Sequence, residues 1–199
     1  MPRLFMLTGT RARHLIGWTL AASCAVALVG CSDDPLSYSA PVGINLKAKS
    51  GDVSGTSVSN QKGINTESGN PYGAFVNDAR RELGRDPARV EVDEATLTLG
   101  AQSTGVVTLQ EVFVGDVDVA FIIDDSNNTY DVGHVIDPVG VGPVGIDVNF
   151  ESDAVSDADY SKFLSGSFKV VIRGTAATGF STKGAEANLQ VSFTFAAFE

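Results

Sequence analysis

Soft and nucleophilic side chains are nearly missing from this sequence. Its 199 residues hold two cysteines, two histidines, two methionines and one tryptophan. Cys24 and Cys31 both lie near the N-terminus, so no disulfide framework runs through the body of the chain. Two histidines are too few for a histidine-rich zinc site. No Gly-x-Ser-x-Gly nucleophile elbow occurs. Any Ser-His-Asp or Cys-His mechanism beyond residue 14 would have to use His134. Ser59-Asn60-Gln61-Lys62 matches the Ser-x-x-Lys string of penicillin-recognising enzymes, but the companion Ser-Asp-Asn and Lys-Thr-Gly strings are missing. Positive charge is scarce too, with 14 basic against 24 acidic side chains. That balance argues against nucleic acid and against anionic lipid surfaces, and it favours solubility. The apolar run from Leu15 to Gly30 is 16 residues, short of the roughly 20 that a spanning helix needs.

What the N-terminus does contain is the anatomy of an export signal. Arg3, Arg11 and Arg13 precede the apolar run, which stops at Gly30-Cys31. Ala12 separates Arg11 from Arg13, which does not support a twin-arginine route. Leu28-Val29-Gly30-Cys31 resembles the lipobox of bacterial lipoproteins, with Val29 where Ala or Ser is usual. The resemblance covers residues 1–32 only. It implies that Cys31 receives a diacylglyceryl thioether, becomes the new N-terminus and is acylated on its amine. Each buried methylene contributes ~0.8 kcal/mol, so more than one acyl chain makes a firm anchor. Ser32 follows the cysteine, and Asp33 and Asp34 come one residue late for inner-membrane retention. The resemblance therefore implies the outer membrane.

Three segments follow as expectations: a signal peptide over 1–30 that is removed, a lipidated tether over 31–40, and a single domain over 41–199. Residues 31–199 carry all 24 acidic side chains and 11 basic ones, a net −13. The tether is polar and contains Pro35. The domain is long enough to bury a core without disulfide staples.

Within the domain, Val42, Ile44, Leu46 and Ala48 alternate with polar residues or glycine, which predicts a half-buried strand. Residues 51–70 read either as one or two short strands around Val53, Val58 and Ile64 or as a long surface loop. Asn70-Pro71 opens a helix over 71–83, with Asn70 as cap and Pro71 at the first helical position. Tyr72, Phe75, Val76, Ala79 and Leu83 share one face of it, and Gly84 supplies the stop. Strand patterns dominate afterwards. Alternation through Val90 and Val92 resumes in opposite phase at Ala95, Leu97 and Leu99, a slip that predicts a bulge or turn at Asp93-Glu94. Further strands are predicted around Val117–Ile123, Tyr130–Ile136, Ile146–Phe150, Phe168–Ile172 and Leu189–Phe195. Residues 156–164 predict one or two helical turns. The expected fold is all-β: an antiparallel β-sandwich, Ig-like or jelly-roll-like, with one inserted α-helix near residues 71–83.

Two acidic clusters stand out. Asp125, Asn127, Thr129 and Asp131 have the alternate spacing with which a loop can offer oxygens to a structural calcium ion. The same residue types shape turns, and the glycine and glutamate of an EF-hand are missing. Glu151, Asp153, Asp157 and Asp159 form the second cluster. No pair is singled out as a glycosidase acid and base. Arg80, Arg81, Arg85 and Arg89 gather four cations within ten residues. They read either as a docking patch for an acidic partner or lipid headgroup, or as the solvated face of an amphipathic helix.

Two functions fit these patterns. The first is a lipid-anchored envelope module that binds a protein or glycan, or has a structural role. The alternative is a periplasmic carboxylate-dependent hydrolase.

Overall fold

The computed structural model describes residues 36–67 and 69–199. The expected signal peptide and Cys31 lie outside them. Among the described residues, alternating apolar positions become eight strands: β1 (Ser37–Lys49), β2 (Ser57–Ile64), β3 (Arg89–Leu99), β4 (Phe113–Ile123), β5 (Thr129–Val135), β6 (Val144–Val148), β7 (Phe168–Ala176) and β8 (Glu186–Phe198). They form one antiparallel sheet in the order β1-β8-β3-β6-β5-β4-β7-β2. β1 begins at Ser37, so the last four residues of the expected tether are part of the sheet.

The sheet is nearly closed. Its end strands β1 and β2 approach each other, and the Lys47 N–H donates to Asn60 Oδ1 at 3.1 Å. The Lys47 N–H thus turns away from β8, and by strand alternation the missing N–H of Pro41 falls on the same free side. Proline belongs at such an edge, where it removes no ladder bond. The phase slip in β3 is a register shift between Val92 and Glu94 against β8. β6 is the thinnest link, pairing three residues with β3 and two with β5. Gly133 makes the second contact possible. Its φ is 150°, and a Cβ there would overlap the Asp147 carbonyl.

Two helices join the strands. α1 (Pro71–Leu83) has the expected bounds, its first turn capped by Asn70 Oδ1, which accepts from the Tyr72 N–H at 2.9 Å. It buries Tyr72, Phe75, Val76, Ala79 and Leu83. α2 (Asp157–Leu164) is capped by Ser156. Among the described residues there are thus two α-helices: the inserted one expected near residues 71–83, and α2, where one or two helical turns were expected over 156–164.

Both helices lie at the end of the sheet where β1 starts and β8 finishes. The core there is aromatic. The Tyr72 ring meets Phe168 edge-on at 5.0 Å and Phe195 at 5.4 Å, and Phe163 lies 4.7 Å from Phe168. Toward the opposite end the buried side chains are mainly aliphatic, including Leu46, Leu97, Leu109, Val112 and Leu189. That end is made of connections, chiefly residues 100–112 and 136–143.

Candidate functional site

The two acidic clusters meet at the helix-bearing end. The turn after β4 docks on the first turn of α2 through Asp159, which is only 2% exposed. Asp159 Oδ2 accepts from the Asn128 amide at 2.6 Å and from the Tyr130 hydroxyl at 2.9 Å. The Asn128 hydrogen bond does most to hold the Asp159 carboxyl below its usual range, opposed by burial and helped by Ser126, Tyr130 and nearby Lys162. Lys162 Nζ donates to the Asp124 carbonyl at 2.9 Å and lies 3.6 Å from Asp125 Oδ2, while Lys169 Nζ pairs with Asp124 at 3.3 Å.

Three of the four residues expected around calcium have partners of their own. Asp125 faces Lys162, and Asp131 accepts from the Asn149 amide at 2.9 Å. The Asn127 side-chain amide turns back on the Asp125 carbonyl, and Thr129 opens β5. Asp125 and Asn127 both take positive φ, 66° and 55°, a conformation that Asn and Asp tolerate in turns. Among the described residues, no three His, Cys, Asp or Glu side chains form a group that could hold a metal ion.

The arginines are likewise engaged. Arg80 pairs with Asp86, Arg81 with Asp78 at 2.7 Å, and Arg85 with Glu199 at 3.3 Å. Arg89 pairs with Glu91 at 2.8 Å and lies 4.4 Å over the Phe198 ring. Exposed pairs of this kind stabilise by about 0–1 kcal/mol each. Arg80 and Arg81 act within α1 and its exit, and Arg85 and Arg89 reach the C-terminal residues Glu199 and Phe198.

His134 sits in β5 with Asp118 of β4 and Asp147 of β6 as its cross-strand partners, and Arg173 of β7 lies opposite Asp118. This is a charged row across four strands on the outer face. Ser59 and Lys62 lie in β2. In a strand those two residues point to opposite faces, so the Ser-x-x-Lys string does not converge on one site.

The cavities are open surface grooves. One of about 500 Å³ crosses the outside of β1 and β8, lined by Asn45, Lys47, Gly100, Gln102, Asn188 and Gln190. A neighbouring one adds Lys49, Asn60 and Lys62. Neither gathers carboxylates around His134.

One feature escapes sequence reasoning altogether. Val107, Val114, Ile136, Val139 and Val141 are 54% to 69% exposed, and all five belong to the end of the sheet opposite the helices. Val139 and Val141, set between glycines and prolines in a connection, are its only sequence signal. Among the described residues, no helix is long and apolar enough to cross a membrane. No family model matches the chain, and no curated protein matches it.

Proposed function

We propose that the protein is a lipid-anchored lipoprotein of the cell envelope, held in the outer membrane through Cys31, whose domain binds a partner or supports structure and does not catalyse. The observation that carries this reading is where the acidic and basic groups are spent. Asp159, Asp124 and Asp125 hold the turn after β4 against α2 and β7, and Asp131 is bonded to Asn149. Arg80 and Arg81 pair with Asp86 and Asp78 on α1 and its exit, Arg85 with Glu199, and Arg89 with Glu91 within β3. Groups committed to such bonds are poorly placed to exchange protons with a substrate. The grooves are broad and shallow, whereas a small-molecule site is a concave pocket with convergent polar groups.

The anchoring geometry fits the same reading. Ser37 follows Cys31 by six positions, an extended reach of about 20 Å. The helix-bearing end would then face the bilayer. In finer terms, the sheet folds around its thin strand β6 into two halves that pack as a sandwich.

The hydrolase alternative rests on the row of Asp147, His134 and Asp118. Alanine at His134 would abolish any hydrolytic activity found if that reading held. The lipoprotein reading is tested by growing cells with an alkyne-bearing palmitate. Wild type should take up the label and fractionate with membranes, and Cys31→Ala should do neither. Label on the alanine variant would contradict it.

A further inference from the structure

We propose that the end formed by residues 100–112 and 136–143 docks a partner protein that presents an apolar patch bordered by lysine or arginine. Singly scattered apolar residues are normal on any surface, but clustered ones mark interaction sites. Five of the six large apolar side chains exposed among the described residues belong to this one end: Val107, Val114, Ile136, Val139 and Val141. Val107 and Val141 line the same depression, together with Leu99 and Val106.

The backbone beneath them is fixed. The Leu99 N–H donates to the Val141 carbonyl at 2.8 Å, and the Leu109 N–H donates to the Gly140 carbonyl at 2.7 Å. The Gly140 N–H donates to Gln110 Oε1 at 2.6 Å. Gly142 has φ 88°, and a Cβ there would lie 2.5 Å from the Leu97 carbonyl oxygen. The two connections are thus one preformed surface, and docking on it would spend little conformational entropy.

Charge selects the kind of partner. Asp116 and Asp137 are exposed beside the patch and enter no ion pair among the described residues. Glu111 is held by Lys183 at 3.1 Å. A second copy would bring carboxylate against carboxylate. A bilayer is gripped by aromatic and basic side chains, and residues 100–112 and 136–143 contain none. A basic rim around an apolar face complements this end in both respects. Five side chains are few beside the 20–30 residues per side of a standard interface, so the contact is small and exchangeable.

The inference rests on the domain being a binding module and not on its lipidation, which palmitate labelling of the same cells reads separately. A photo-crosslinking residue is placed at Val107 or Val139 in the full chain, with Lys62 as the control site, in cells that make the protein. The expected adducts map to an apolar segment flanked by Lys or Arg on one partner protein. With that partner purified, the variant carrying Val107→Ser and Val141→Ser should bind at least tenfold more weakly at unchanged melting temperature. Asp116→Lys with Asp137→Lys should also weaken binding, and salt should weaken the wild-type complex. Adducts no more abundant than at Lys62 would overturn the proposal. So would adducts to lipid or to a second copy, or a partner indifferent to these substitutions.

Discussion

The two ends of the sheet solve opposite problems. At the helix-bearing end, Tyr72 of α1 and Phe163 of α2 are fully buried against Phe121, Phe168, Phe193 and Phe195 of the sheet, which are fully buried too. Every buried polar side-chain atom among the described residues has a hydrogen-bond partner. At the loop end, aliphatic side chains are held out to solvent on a hydrogen-bonded backbone. The first arrangement stabilises the fold. The second contributes little to stability and is better explained by contact with something else. Position in the fold, more than residue type, separates a side chain that holds the domain together from one that can act outside it.

That contrast breaks most easily at the aromatic end. Phe121→Ala removes a ring packed 5.0 Å from Phe150 and 5.2 Å from Phe168. It should destabilise by about 3–5 kcal/mol, read from urea unfolding midpoints. A loss below about 1 kcal/mol would mean that the core is looser than described. A smaller effect is expected from Tyr72→Phe, which deletes only the hydroxyl that donates to the Phe163 carbonyl at 3.0 Å. The cost should be about 0.5–1.5 kcal/mol.

Asp159 sharpens the comparison through pH. Its carboxyl is held below the usual range when folded, above all by the Asn128 hydrogen bond. Its contribution to stability is therefore complete above the unfolded value of about 3.9 and is lost as pH falls through the lower folded value. Asp159→Asn should melt earlier than wild type at neutral pH, and the gap should narrow on acidification. A gap that is constant across pH would show that the charge plays no part. At the loop end, Val139→Ser should leave unfolding within about 0.5 kcal/mol of wild type. A larger loss would place Val139 in the core and undercut its role as contact surface.

Features written locally were readable in advance. Asn70, Pro71 and Gly84 bound α1, because a cap, a proline and a left-handed glycine each act within a turn of where they stand. The register shift at Val92–Glu94 showed as a change of phase within one strand. β2 was faint, because Val58 and Ile64 are the only two of its eight residues that are buried, with Asn60 and Lys62 between them on the same face, and its pairing with β7 spans more than a hundred residues. The acidic clusters were visible as composition. That Asp159 would be their organiser depends on Asn128 and Tyr130, about thirty residues away. The valines of the loop end were invisible as a surface, since exposure is decided by what the rest of the chain leaves uncovered.

The proposed anchoring through Cys31 would set the helix-bearing end against the membrane and the loop end away from it. Photo-crosslinking residues at Asp86, on the exit from α1, and at Val139 test it in one experiment on the full chain in intact membranes. The account predicts lipid adducts at Asp86 and protein adducts at Val139. Lipid adducts at Val139 with none at Asp86 would contradict it.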